Sequence, residues 1–185
     1  MPLLDEIIKI AKTNLVMDGK LHPVFFLLKD EDFVLEPTLL VMLDRIFARN
    51  GYEHTPFQAP LNMEDTKTRD TFAIGCLAKA LGANRVIVIW DGAFRSVENP
   101  KDFKYDDTEA PLSYPRSMRT ECLIFNEVWV PEGKDHTVIV PYKGGEGVPV
   151  EFLPDDKFNQ EGVNYQSRFT EIILAGYNRA KGFTL

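Results

Sequence analysis

The chain has 185 residues, 44% of them apolar and 26% charged. That suits one globular domain burying about 70% of its unfolded surface and excludes wholesale disorder. Twenty-eight acids against 21 bases give a net charge of −7, which argues against a basic nucleic-acid footprint, and two cysteines exclude a disulfide framework or a four-thiolate zinc site.

In chain order, Leu3, Leu4, Ile7, Ile8, Ala11, Leu15 and Val16 recur at helical spacing, which predicts an amphipathic helix over 3–17. Asp18 and Gly19 end it. Leu21–Leu28 reads as a buried strand, and 33–35 as an optional strand paired with it. Pro37, flanked by Glu36 and Thr38, suggests a helix start, with a nearly all-apolar helix to Arg49 and a stop at Asn50 and Gly51. Residues 52–62 read as a loop. A third helix is expected from Asp65 or Thr66 to Leu81, stopped by Gly82. Arg85–Trp90 is the clearest buried strand, with Asp91 and Gly92 as its turn signal.

Residues 94–117 hold Pro100, Pro111 and Pro115 among many acids and read as a long, mobile loop. Met118–Val130, Thr137–Tyr142 and Val148–Leu153 then form a C-terminal meander with turns at 131–135 and 144–147. Pro141 and Pro149 lack amide donors, so their strands should be interrupted or lie at an edge. A last helix spans 165–180. The fold class is therefore α+β, one domain over 1–185: a mostly antiparallel sheet of four to five strands packed by four helices.

Acids at Asp5 and Glu6 do not fit a secretory leader, and no apolar run approaches membrane-spanning length. The expectation is a soluble cytoplasmic protein with reduced Cys76 and Cys122. Gly144–Gly147 leads into a strand and not into a helix, so it is not a phosphate loop. His22, His54 and His136 lack metal-ligand spacing and read as surface or turn histidines. No Gly-x-Ser-x-Gly elbow is present, and Cys76 and Cys122 read as buried structural thiols. No metal and no cofactor is expected.

Two groups of residues carry candidate chemistry. Arg95, Arg116 and Arg119, with Tyr114 nearby, would gather at one end of the sheet if the strands on either side of the long loop pair. Guanidinium forks of that kind bind carboxylate or phosphate. Glu121 and Asp91 are the candidate acid–base carboxylates, and Glu121 shares a strand face with Glu127.

The run from Ala78 to Trp90, followed by Pro115, Arg116, Ser117, Met118, Arg119, Thr120, Glu121, Cys122 and Leu123, resembles uncharacterised bacterial and phage-associated proteins over residues 70–153. The resemblance implies a helix–strand–loop–strand order, brings no established activity with it and leaves the chemistry open. The leading expectation is a non-enzymatic binding or regulatory module. Its partner would be a second copy, another protein or a small anionic ligand, and not nucleic acid or a membrane. The alternative is a small enzyme acting on an anionic substrate through the arginine group and a carboxylate.

Overall fold

A computed structural model describes residues 2–43, 45–46, 66–94, 120–154 and 168–180. Three α-helices lie among them: α1 (Pro2–Asp18), α2 (Thr66–Ala80) and α3 (Arg168–Arg179). Six strands form one sheet: β1 (Val24–Lys29), β2 (Asp32–Leu39), β3 (Arg85–Phe94), β4 (Thr120–Trp129), β5 (Lys134–Gly145) and β6 (Val148–Phe152), in the order β2-β1-β3-β4-β5-β6. β1 runs antiparallel to both β2 and β3, and β5 antiparallel to β6. The α+β class and the C-terminal meander thus hold. The strand count is six and not four to five, because β2 is a full strand.

β2 also replaces the start of the expected second helix. Residues 36–39 are strand, and a 3-10 turn, Leu40–Met42, follows. Leu43, Arg45 and Ile46 are helical, and residues 47–49 of the expected helix lie outside the described residues. Three helices are thus described where four were expected. The helix signal at Pro37 was outweighed by pairing: Thr38 and Leu39 sit opposite Phe25 and Val24. β2 is an edge strand, where a missing amide donor is tolerated. The outer edge β6 likewise holds Pro149. Prolines at both edges hinder strand addition by another chain. Pro141 is different, since β5 is an inner strand. Its carbonyl accepts from Leu153 N at 2.9 Å, just past the end of β6. A residue's amide and carbonyl point to the same side of a strand. The missing donor therefore falls where the β5–β6 ladder has already ended.

Asp91 and Gly92 do not turn the chain; β3 continues through them to Phe94. A side chain on Gly92 would come within 2.9 Å of Ile124 Cδ1. The glycine lies within the strand against Ile124, not at a bend.

The chain divides into two compact units. One comprises Met1–Leu21, Trp90–Ile124 and Val138–Val163; the other His22–Ile89, Phe125–Thr137 and Asn164–Leu185. In the first, α1 buries the stripe Leu4, Ile7, Ala11 and Leu15. Lys12 lies over the Phe152 ring of β6, 5.2 Å from its centroid. The helix ends at left-handed Gly19, whose carbonyl accepts from Glu146 N in the β5–β6 turn.

In the second unit, consecutive residues Phe25–Leu28, Arg85–Ile89 and Phe125–Val128 are buried. Successive side chains point to opposite faces, so this part of the sheet is covered on both. α2 and α3 pack together where Gly75 meets the Ile173 backbone and Gly176 the Phe72 backbone. Cys76 Sγ donates to Gly176 O at 3.3 Å across the same crossing. The β1–β2 turn is tied to the start of β3 by a reciprocal pair: Asn84 Nδ2 donates to Asp30 Oδ1 at 2.9 Å, and Asp30 N to Asn84 Oδ1 at 2.8 Å.

Candidate functional site

The site that brings candidate residues together lies in the first unit, where β3, β4 and β5 each contribute one side chain. Tyr142 of β5 donates its hydroxyl proton to Asp91 Oδ1 of β3 at 2.8 Å. Glu121 of β4 is 8% exposed and close enough for its charge to act on the same hydroxyl. Asp91 itself is half-buried. Of these two carboxylates one is half-buried and one enclosed.

Burial pushes the Tyr142 hydroxyl above the ordinary tyrosine range. Its hydrogen bond to Asp91 and the negative charges of Asp91, Glu121 and an ionised Cys122 push the same way. The phenol therefore stays protonated, a donor to Asp91 and not a base. Its job is to hold one carboxylate oxygen in place.

Tyr142 was not among the residues expected from sequence, because its register depends on where the β4–β5 turn begins and ends, which the sequence reading placed differently. β4 ends at Trp129 and β5 begins at Lys134, across a turn in which Gly133 N donates to Trp129 O at 2.9 Å. Counting outward evenly from that turn sets Tyr142 opposite Glu121. Of the expected site residues, Asp91 and Glu121 meet around Tyr142, while Arg95, Arg116, Arg119 and Tyr114 lie outside the described residues.

A second polar cluster uses the same three strands in the other unit, with each member six residues from its counterpart. Arg85 of β3 contacts Oε1 of Glu127 of β4 through both Nε and a terminal nitrogen. Glu127 is fully buried, and the Arg85 guanidinium also lies 5.7 Å from the Trp129 ring centroid. Glu127 is therefore an enclosed, paired charge. His136 of β5, read from sequence as a surface or turn residue, points Nδ1 at Glu127 Oε2 across 3.7 Å.

Neither cysteine forms a disulfide, and both are buried. Burial pushes the Cys76 thiol from 9.0 up to about 12, despite the opposing charge of Arg179. A thiol so held carries almost no thiolate near neutrality and is not a nucleophile. Among the described residues, no group of three or more His, Cys, Asp or Glu side chains is placed to hold a metal ion, and no helix is long and apolar enough to cross a membrane. No family model matches this chain, and no curated protein and no solved structure matches it.

Proposed function

We propose that the protein is a non-enzymatic binding or regulatory module of the cytoplasm. The observation that carries this reading is the bond from Tyr142 to Asp91. It commits the Tyr142 hydroxyl proton to an internal partner and leaves the phenol neutral. A group locked in this way braces a surface; it does not move a proton. Exposed apolar side chains supply contact area for a partner: Met17 on α1 and Val41 after β2 are about three-quarters exposed. Two buried cysteines without a disulfide suit a reducing compartment. The partner such a surface favours is a second copy of the chain or another protein.

The enclosed Glu121 beside half-open Asp91 favours one other reading, a small enzyme using these carboxylates as acid and base on an anionic substrate held by Arg95, Arg116 and Arg119. Native mass spectrometry separates the two. A dimer without adduct supports the module, since symmetric dimers are the commonest assembly. A monomer that retains a stoichiometric anion supports the enzyme. Thermal melts in phosphate, sulfate and citrate give the second readout. Stabilisation lost in the Arg116→Ala/Arg119→Ala double variant supports the enzyme, and no stabilisation by any anion overturns it.

A further inference from the structure

The two oxygens of Glu127 are treated differently. Oε1 takes both donors of Arg85. Oε2 accepts no hydrogen bond among the described residues, and neither does the buried Nδ1 of His136 that faces it at 3.7 Å. A buried carboxylate oxygen beside a bare ring nitrogen sets two acceptors against each other, which costs the desolvation of both. A proton between them removes that cost. The guanidinium already binds Glu127 as its carboxylate partner, so the imidazole is the group to carry the proton.

We infer that Glu127 holds His136 with its proton on Nδ1, which leaves Nε2 as the bare acceptor of a ring whose position is fixed from the core side. The exposure fits: 41% of the His136 side chain is accessible although Nδ1 is not. A carboxylate behind one ring nitrogen is the usual device for deciding which nitrogen faces outward. The gap is wider than a closed hydrogen bond, and contacts of this kind tighten when the outer nitrogen is engaged. Arg85 anchors the carboxylate from behind, so the acceptor is oriented from the core outward. The site uses none of Asp91, Glu121 or Tyr142, and it goes beyond the module reading and stands independently of it.

Long-range proton–nitrogen NMR of the histidine rings in the full chain tests it, at about pH 8.5, where unperturbed imidazoles are neutral. His136 is assigned by the signals lost in His136→Gln. The expected spectrum has a protonated Nδ1 and a bare Nε2 for His136. Glu127→Gln should reverse it. Arg85 has only donors, so the glutamine oxygen must serve Arg85, and its amide then offers donors to Nδ1. A wild-type His136 with its proton on Nε2 overturns the inference. So does a folded Glu127→Gln variant with an unchanged tautomer. If Glu127→Gln does not fold, the wild-type spectrum decides alone.

Discussion

Tyr142 and Asp91 are 51 residues apart in the chain, and one hydrogen bond of 2.8 Å joins them across the sheet. Removing the hydroxyl leaves a half-buried carboxylate oxygen that water can reach only in part. Tyr142→Phe should therefore cost about 1–2 kcal/mol, toward the lower end of the cost of an unsatisfied buried partner. Urea unfolding monitored by tryptophan fluorescence checks this. An unchanged midpoint would show that water replaces the phenol at no cost.

The same residue predicts an alkaline limb of stability. Tyr142 is held above its unfolded value, and so is Cys76, from 9.0 up to about 12. Each therefore keeps its proton in the folded chain at pH values where the unfolded chain has lost it. Stability is fully present below the unfolded values and falls as pH rises through 9.0 toward 12 for Cys76, and above about 10 for Tyr142. Melting temperatures of wild type, Tyr142→Phe and Cys76→Ala across that range should show a shallower alkaline decline in each variant. Ellman's reagent should reach Cys76 only after unfolding.

Glycine at the α2–α3 crossing is required by contact and not by dihedral angle. A side chain on Gly75 would overlap the Ile173 carbonyl, and one on Gly176 the Phe72 carbonyl. Backbone cannot swing aside as a flexible side chain can, so the helices must separate. Gly75→Ala or Gly176→Ala should cost more than about 4 kcal/mol, the range reserved for core disruption. Gly82→Ala is the control. Nothing lies near its added methyl, and only its φ of +69° is strained, which costs about 1–2 kcal/mol. Equal losses at Gly75 and Gly82, measured by chemical denaturation, would refute the close-crossing account.

The Arg85–Glu127 pair is buried on both sides, Arg85 at 8% exposure and Glu127 at none. Arg85→Met strands an enclosed carboxylate and should cost about 3–5 kcal/mol. The double variant Arg85→Met/Glu127→Leu removes the stranded charge and should recover most of the loss. A double-mutant cycle in urea measures the coupling. Additive losses would mean the two side chains do not depend on each other.

The α+β class, three helices and the C-terminal meander were legible because local pattern dictates them. Leu4, Ile7, Ala11 and Leu15 share a helical face whatever they pack on. Val86–Trp90 has the side chains of a buried strand in any fold. The misreadings came where a local signal had two meanings. Pro37 suits a helix start as well as an edge strand, and pairing with β1 decided between them. Gly92 suits a turn as well as a strand interior, and the continuation of β3 through it to Phe94 decided that.

The candidate site divides the same way. Sequence by itself determined which chemistry the chain can carry: the carboxylates Asp91, Glu121 and Glu127, the sparse histidines and the two thiols. Only the tertiary structure decided which of these meet. It placed Tyr142 on Asp91 and set Arg85 and His136 on opposite oxygens of Glu127. The physical reason is that composition and periodicity act over a few residues. A partner 42 or 51 residues away is chosen by strand order and register, which are set by how the sheet buries its faces as a whole.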